Sequence, residues 1–416
     1  MVNILNNILY YLMCIYIILL PILPNEITLH GRNISPADVI LGFIIIFYIL
    51  KLLLNKESKE RFILGIRDFF TNYLSIFMTI LALMMFVSIS YAVEKKLALS
   101  ESLRFVSYII IYFIIKYDIN YKRYTKGMIK SYMVTTLILS VFGIYQYFTG
   151  FDLSNKFKNY GYARFKIAAT MDNPNNLGAF LILAIFPLIM LCIYEKRKIR
   201  RTVYALLSLL ILIDMVLTGS RNAIVGVTVG LIVLAILYSF RLLILIGGLG
   251  VISLFVPEIK DRVMAITSKT QNQSRIYLWE IAKKMIKDHP LFGVGNGNYV
   301  SLYDKYTAMY PQYKFYGYTR FPCHNSYLKV ESELGIIGGV SFIGILIVAL
   351  IKVKDSIFMT SDKFYKSFYT GFLASMIAFY VMNLVDNLFF VPKTTTYFWI
   401  LLAISQAIIF KTDTEF

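Results

Sequence analysis

The chain has 416 residues, of which 58% are hydrophobic and only 16% are charged. Soluble domains carry roughly 25% charged residues, so this composition excludes a soluble globular protein and indicates an integral membrane protein. The net charge of +18 does not indicate nucleic-acid binding, because the lysines and arginines cluster in loops between apolar segments.

Apolar segments near 20 residues, the length of a helix that crosses a bilayer, recur along the whole chain. The first lacks the basic start and small-residue cleavage pattern of a signal peptide, so we interpret it as a retained helix. We therefore predict an all-α polytopic membrane protein, one domain over 1–416, with about twelve transmembrane helices. These lie at 4–23, 34–54, 70–90, 97–115, 128–149, 174–194, 202–218, 222–240, 242–256, 325–351, 366–386 and 394–410.

Basic clusters occupy every second loop. Because lysine and arginine accumulate in cytoplasmic loops, these loops and both termini are expected in the cytoplasm. The loops 150–173 and 257–324 are then expected outside. The clusters are Lys51/Lys56/Lys59/Arg61/Arg67, Lys116/Lys122/Arg123/Lys126/Lys130, Lys196/Arg197/Lys198/Arg200/Arg201 and Lys352/Lys354/Lys363/Lys366.

The two outer loops differ in size. The small loop, 150–173, is aromatic and basic and contains Arg164. The large loop, 257–324, contains an amphipathic helix over 274–287, a glycine-rich turn over 293–298 and a tyrosine-rich stretch over 299–321. A loop of this length in a compact membrane protein is usually functional.

Arg221 stands at the outer mouth of a predicted helix, in Leu217-Thr218-Gly219-Ser220-Arg221-Asn222. A cation there runs against the positive-inside preference and the helix macrodipole. The exposed N–H groups of a helix N-terminus bind phosphate, and arginine adds a planar fork for phosphate oxygens. The alternative is an arginine that anchors the helix to lipid headgroups.

Asp214 lies two helical turns before Arg221, inside a predicted span. An acid within a span is a candidate functional residue, but pairing with a neighbouring helix is the alternative that we favour.

Arg275 begins the amphipathic helix, and His324 lies where the next apolar segment starts. Taken alone, Arg275 is typical of a solvated surface residue. Histidine can act as a general base near neutral pH, although a lone histidine is more often a satisfied polar residue. The other two histidines are distant in sequence and show no metal-ligand spacing, so no metal site or cofactor is predicted.

Glu331 and Glu333 form the one outward Glu-x-Glu pattern. Residues two apart on a helix point in nearly opposite directions, so these carboxylates cannot hold one Mg²⁺ together. Glu331 comes seven residues after His324 and is a candidate for orienting it.

Four motifs in this order resemble the bacterial O-antigen ligase/polymerase superfamily, closely over about 164–345 and by topology elsewhere. They are Thr170-Met171-Asp172-Asn173-Pro174-Asn175-Asn176-Leu177-Gly178; Leu217-Thr218-Gly219-Ser220-Arg221; Arg275-Ile276-Tyr277-Leu278-Trp279 with Asp288-His289-Pro290-Leu291-Phe292-Gly293-Val294-Gly295; and His324-Asn325-Ser326-Tyr327-Leu328 with Glu333-Leu334-Gly335-Ile336-Ile337-Gly338.

The resemblance implies a membrane glycosyltransferase with a multi-helix fold of the lipid-linked-donor type. Such enzymes take a glycan from an undecaprenyl-diphosphate carrier on the outer face of the bacterial plasma membrane. They pass it to an acceptor hydroxyl without a metal, cofactor or nucleotide sugar. Arg221 and Arg275 match the arginines that bind the diphosphate, and His324 matches the histidine that helps to activate the acceptor. Further candidates for substrate contact are Arg164, Asn175 and Asn325.

The chemistry is expected to invert the anomeric configuration, because the acceptor attacks from the face opposite the diphosphate. The tyrosine-rich stretch 299–321 is open to two interpretations, stacking on sugar rings or interfacial aromatic packing. The acceptor also stays open: a ligase uses a glycolipid or cell-wall polymer, and a polymerase uses another lipid-linked repeat unit. A transporter is less favoured, because the distinctive polar residues cluster at the outer face and the two halves do not correspond.

Overall fold

The computed structural model of the chain describes residues 2–24, 27–29, 32–151, 158–160, 163–241 and 269–414, with isolated positions between 243 and 255. The described helices are α1 Val2–Leu19, α2 Pro36–Leu54, α3 Lys56–Thr71, α4 Tyr73–Ser88, α5 Lys95–Tyr117, α6 Lys122–Thr149, α7 Pro174–Tyr194, α8 Lys198–Thr218, α9 Arg221–Leu237, α10 Lys269–Asp288, α11 Tyr299–Met309, α12 Ser326–Met359, α13 Lys363–Met382 and α14 Pro392–Thr414.

The described strands form two short antiparallel hairpins. β1 Ile27–Leu29 pairs with β2 Arg32–Ile34, and β3 Lys158–Tyr160 pairs with β4 Ala163–Phe165. Two 3₁₀ turns, Pro311–Tyr313 and Leu388–Phe390, complete the described elements. The predicted all-helical membrane class is therefore confirmed in its coarse form.

Seven described helices are long and apolar enough to cross a membrane, judged by length and composition. The pair α3 and α4, bent by 80° at its break, adds an eighth if it forms one span. The predicted span 242–256 lies mostly outside the described residues, and α1 and α9 contain shorter apolar segments. The described part thus supports a polytopic helical protein, and the number twelve stays a prediction. The seven helices are α2, α5, α6, α7, α8, α12 and α14.

Helix α7 lies at the centre of the bundle, where α13, α8 and α9 pack around it. Close approach to α13 depends on Gly371, whose added Cβ would meet the backbone oxygen of Phe186 at 2.3 Å. The hydroxyl of Ser375 on α13 also donates to the backbone oxygen of Ile182, at 2.8 Å. Small residues that let backbones approach are typical of helix packing in membranes. This packing fixes the start of α7 relative to the helices that supply the site.

The large loop that is predicted to lie outside has a small hydrophobic core of its own, and we call this packed part of the chain the outer unit. Apolar side chains of α10 pack against tyrosines of α11 and against Cys323, so the loop folds as a packed unit. The buried members are Leu278, Ile281, Ala282, Met285, Val294, Tyr299, Tyr303, Tyr306 and Cys323. Burial of this apolar surface holds α10, and with it Arg275, in a defined orientation.

A break in α12 anchors this outer unit to the membrane bundle. Gly335 interrupts α12 with φ +64°, and an added Cβ there would meet the backbone oxygen of Leu291 at 2.2 Å. The freed backbone bonds instead to the glycine-rich turn, with Gly295 N–H donating to Glu333 O at 2.8 Å. The Glu333 carboxylate accepts from the N–H groups of Gly297 and Tyr299, at 2.8 and 3.1 Å.

Candidate active site

Three helices, α7, α9 and α12, begin close together, each with a polar cap from its own sequence. Asn173 caps α7, Ser220 caps α9 and Asn325 caps α12, each by accepting backbone N–H groups. The hydroxyl of Ser220 also donates to Asn175 Oδ1 at 2.7 Å, which ties the start of α9 to that of α7. Because helix N-termini carry partial positive charge, the shared end of these helices favours an anion.

Asp386, in the segment between α13 and α14, connects these helix starts. Its Oδ2 accepts from Asn175 Nδ2 at 2.8 Å, and its Oδ1 lies 2.9 Å from Nδ1 of His324. The backbone N–H of Asn387 donates to the same Oδ1, also at 2.9 Å. A single carboxylate therefore joins the Asn175 motif of α7 to the His324 motif before α12.

Electrostatics decide the protonation state of Asp386. Burial alone would raise its pKa, but the hydrogen bond and charge of His324, the charge of Arg275 and the Asn387 N–H outweigh burial and leave the pKa below its ordinary value. An ionised carboxylate can only accept hydrogen bonds. When the His324 ring is neutral, its proton therefore lies on Nδ1, and Nε2 is then the basic nitrogen.

Asparagine and serine side chains hold the Asp386 segment against the start of α12. Asn383 Oδ1 accepts from the Ser326 hydroxyl at 2.6 Å and from the Phe389 N–H at 2.9 Å. Asn387 Oδ1 accepts from the Asn325 N–H at 2.9 Å. These bonds satisfy buried backbone groups outside helices, and they bring Asp386 beside His324 although the two residues are 62 positions apart.

His324 itself occupies an uncommon backbone conformation. Its φ is +52°, in the left-handed region that residues other than glycine rarely adopt. The indole N–H of Trp279 donates to the His324 carbonyl at 3.2 Å and so holds this conformation from α10. Strain of this kind is concentrated at functional sites, which supports a functional role for His324.

Arg275 lies one turn before Trp279 on α10. Residues four apart share a helix face, so the contact between Trp279 and His324 turns Arg275 toward the same region. Arg275 is close enough to Asp386 that its charge helps to lower the carboxyl pKa. The structure thus brings Arg275, Asp386 and His324 to one place.

Arg221 is the first residue of α9, directly after the cap residue Ser220. Its side chain is partly buried. The neighbouring Asn222 donates from Nδ2 to the Met382 carbonyl at 3.1 Å, which joins the start of α9 to the end of α13. Arg221 therefore lies at the N-terminus of α9. Ser220, at the same terminus, bonds to Asn175, and Asn175 bonds to Asp386.

Two residues were predicted to support the site, and the structure gives one of them another position and the other another role. The residue at Nδ1 of His324 is Asp386, not Glu331, because Glu331 lies more than one turn along α12 from its start. Glu333 is buried and holds the glycine-rich turn, with Lys329 as its salt-bridge partner. Its role is to anchor the outer unit.

The remaining candidates have mixed outcomes. Both polar atoms of Asn325 are used inside the protein, since Oδ1 caps α12 and Nδ2 donates to Leu384 O at 2.8 Å. Asp214 is fully buried against α6, beside Gly143 and Ser140, and its pairing with a neighbouring helix stays a prediction. Arg164 belongs to β4, but its side chain lies outside the described residues. Substrate contact by Asn325 and Arg164 stays a prediction.

Sequence reasoning missed Asp386. It lies at the last position of the predicted span 366–386, where an acidic residue is typical of the polar end of a helix. In the structure α13 ends at Met382, and Asp386 follows in a turn. The available signal was an acid at the edge of an apolar segment, on the same predicted side as His324.

The arrangement combines a base with an anion site. His324 offers a lone pair at Nε2, and Arg275 and Arg221 supply cations near three helix N-termini. Among the described residues, no group of three histidine, cysteine, aspartate or glutamate side chains could hold a metal ion. Such a site can remove a proton from a hydroxyl while stabilising a phosphate group nearby.

A family model described as O-antigen ligase matches residues 206–343 of the chain. The match covers about a third of the chain and agrees with the family resemblance of the four sequence motifs. It contains Arg221, Arg275 and His324, whereas Asn175 and Asp386 lie outside it. No curated protein matches the chain.

Proposed function

We propose that this O-antigen ligase-like chain is a metal-independent, inverting glycosyltransferase of the bacterial plasma membrane. It transfers a glycan from an undecaprenyl-diphosphate carrier to an acceptor hydroxyl on the outer face. Its termini are cytoplasmic, and about twelve helices surround the site. The observation that carries the proposal is the His324–Asp386 pair, held beside Arg275 and next to the linked starts of α7, α9 and α12.

The donor side of the proposal rests on charge. A departing diphosphate gains negative charge as its bond to the sugar breaks, and preorganised donors stabilise that charge. Arg221 and Arg275 supply guanidinium groups, which bind phosphate oxygens through two hydrogen bonds each. The N-termini of α7, α9 and α12 add partial positive charge. These groups take the role that a divalent cation has in other glycosyl transfers.

The acceptor side rests on the His324 tautomer. With Nδ1–H donating to Asp386, Nε2 of His324 accepts the proton of the acceptor hydroxyl. The acceptor oxygen forms a bond to the anomeric carbon as the bond between that carbon and the diphosphate oxygen breaks. The electron pair of the broken bond leaves on undecaprenyl diphosphate, and the proton stays on the imidazole until solvent removes it. Attack opposite the leaving group inverts the anomeric centre.

The test is transfer by the purified protein in detergent or liposomes, with lipid-linked glycan as donor and no ion gradient. Product should form in EDTA, with release of undecaprenyl diphosphate and an inverted linkage that NMR identifies. A His324→Ala variant should lose turnover, and His289→Ala, at an exposed position directly after α10, is the matched control. A requirement for a divalent cation, or full turnover by His324→Ala, would contradict the mechanism.

The same assay separates ligase from polymerase. In a reaction that holds only lipid-linked repeat units, a polymerase gives a ladder of longer lipid-linked chains on a gel. A ligase gives product only when a second acceptor, such as a glycolipid or cell-wall polymer, is present. Movement of intact lipid-linked glycan across the bilayer without any new bond would favour a transporter.

A further inference from the structure

Helix α3 lies at nearly a right angle to the helix that follows it. Asn72 alone separates α3 from α4, and the two helices are bent by 80° at this break. Because α4 packs along α5 and α12, which are long and apolar enough to cross a membrane, α3 runs nearly parallel to the membrane plane. The far end of α4 bonds to the glycine-rich turn, with the Asn296 N–H donating to the Ser88 hydroxyl at 3.0 Å. The helix α3 and the outer unit therefore lie at opposite ends of α4.

One face of α3 packs against the last turn of α5. Phe62 and Phe69 lie against Phe113, with ring centroids 5.6 and 5.9 Å apart. Gly65 allows this close approach, because an added Cβ would meet the Tyr117 ring at 2.8 Å. Since α5 ends at Tyr117, these contacts hold α3 at the membrane boundary, on the side that is predicted to be cytoplasmic.

Polar contacts fix the rotation of α3 about its own axis. Asp68 forms a salt bridge with Lys116 of α5, at 2.6 Å. One turn after the start of α3, Arg61 forms a salt bridge with Glu57 and donates to the Tyr121 hydroxyl. The residues that α3 turns away from the protein are therefore defined.

A second face of α3 is apolar and exposed. Ile63, Ile66 and Phe70 lie three to four positions apart and so share one side of the helix, which we call the apolar stripe. Ile63 is 66% exposed and Phe70 is 58% exposed. The stripe leads into the exposed side of α4, where Tyr73 and Leu83 lie. The exposed apolar side of a membrane-spanning helix faces lipid, so the stripe continues a surface that lipid covers.

Two basic residues border the apolar stripe. Lys59 lies four positions before Ile63, and Arg67 lies three positions before Phe70, so each is a neighbour of the stripe on the helix surface. Both side chains are exposed. Long basic side chains can lie along apolar surface while their charged ends reach polar headgroups.

The charges of α3 favour an anionic partner. Seven of its 16 residues are charged, which is too many for a helix that crosses the hydrocarbon core. Four of the seven form the two salt bridges given above. The other four charges of the α3 surface come from Lys56, Lys59, Arg67 and Glu60, because the Lys116 partner of Asp68 belongs to α5. Three exposed cations against one acid attract the anionic headgroups of a membrane leaflet.

We propose that α3 is an interfacial helix whose apolar stripe and exposed cations bind anionic phospholipid. The acyl chains cover the stripe, and the headgroup phosphates pair with Lys59 and Arg67. Amphipathic helices bind a lipid interface through this combination of apolar burial and charge attraction. The inference is independent of the proposed function, because α3 and the outer unit lie at opposite ends of α4.

The first experiment measures the depth of single spin labels in liposomes, on the full chain in a cysteine-free background. Labels at Ile63→Cys and Phe70→Cys should collide several-fold more often with oxygen, which concentrates in the bilayer, than with a water-soluble nickel complex. A label at Glu57→Cys, on the other side of α3, should show the reverse. Leu83→Cys on the exposed side of α4 is the control within the bilayer.

Two results of this experiment would overturn the proposal. Equal access of the nickel complex to positions 57, 63 and 70 would show that the apolar stripe lies in water. Protection of positions 63 and 70 from both reagents would assign the stripe to a protein contact. Spin–spin broadening that disappears on dilution with unlabelled protein would then identify a second copy of this chain as the partner.

The second experiment tests the headgroup. A fluorophore at Ile63→Cys is quenched by doxyl-labelled phosphatidylglycerol or phosphatidylcholine in vesicles of the same total composition. Phosphatidylglycerol should quench more strongly, and Lys59→Gln with Arg67→Gln should abolish most of this preference, since each basic residue near an anionic surface strengthens association about 5-fold. Lys283→Gln, an exposed lysine on α10, is the matched control. Equal quenching by the two lipids, or a preference that the double variant retains, would overturn the binding of anionic headgroups by these cations.

Discussion

Nδ1 of His324 lies 2.9 Å from Oδ1 of Asp386, although the two residues are 62 positions apart. Asn175 from a third segment donates to the other carboxylate oxygen. This pair sets which ring nitrogen of His324 is basic, because a carboxylate with a lowered pKa accepts and never donates. The protonation of His324 therefore depends on the packing that brings the starts of α7, α9 and α12 together.

Asp386→Asn is expected to lower kcat by about 10²- to 10⁴-fold, the range of general-base catalysis. The asparagine amide would donate to Nδ1, so the ring would carry its proton on Nε2 and could not accept one there. The KM for the donor should change little, since Arg221 and Arg275 remain. Asp288→Asn, which changes a carboxylate at the end of α10, is the control. Equal kcat for Asp386→Asn and wild type would remove Asp386 from the mechanism.

The lowered pKa of Asp386 also predicts a pH dependence of stability. A carboxyl with a depressed folded pKa stabilises the protein above its unfolded pKa of about 3.9, and this stabilisation is lost as pH falls through the lower folded value. The Tm difference between wild type and Asp386→Asn should therefore persist from pH 8 to pH 5 and shrink only below about pH 4. Thermal unfolding in detergent across this range measures it. A difference that already disappears at pH 6 would contradict the lowered pKa.

Arg221→Ala and Arg275→Ala should each lower transfer by about 100-fold or more, because each loses two charge-assisted hydrogen bonds to phosphate. Lysine retains the charge without the fork, so Arg→Lys should restore activity only in part. The control is Lys283→Ala, an exposed lysine on the same helix as Arg275. Steady-state transfer at equal membrane levels measures the effect. Full activity of either alanine variant would exclude that arginine from diphosphate binding.

Gly335→Ala should detach the outer unit from the membrane bundle. The new Cβ would lie 2.2 Å from Leu291 O, on a backbone whose φ of +64° already disfavours alanine. Gly317→Ala is the control for strain alone, because its φ is +78° and nothing lies within 4 Å of the new Cβ. Limited proteolysis of the large loop should accelerate in Gly335→Ala far more than in Gly317→Ala. Equal protection of the two variants would show that the break in α12 does not hold the loop.

The orientation of the chain can be tested with single cysteines in a background without Cys14, Cys192 and Cys323. Tyr316→Cys should react with a membrane-impermeant reagent added to intact cells, since Tyr316 is 98% exposed in the predicted outer loop. Lys198→Cys, in a predicted cytoplasmic loop, should react only after permeabilisation. Labelling of position 198 in intact cells would reverse the orientation and place the site in the cytoplasm.

The sequence by itself determined the membrane class and the helix starts, and it named three candidate site residues. Hydrophobic length predicts spans because a bilayer accepts only internally hydrogen-bonded backbone. Local cap patterns predict where α7, α9 and α12 begin, and these begin at Pro174, Arg221 and Ser326. The order of motifs identified Arg221, Arg275 and His324 as candidates, and the family match contains all three.

Only the tertiary structure decided which residue forms the hydrogen bond to Nδ1 of His324. Glu331 is near in sequence, but the rise along α12 separates it from the helix start. Asp386 is distant in sequence, and it reaches His324 because Asn383 and Asn387 bind its segment to the start of α12. Contacts of this kind depend on the packing of whole helices, which no local pattern of residues encodes.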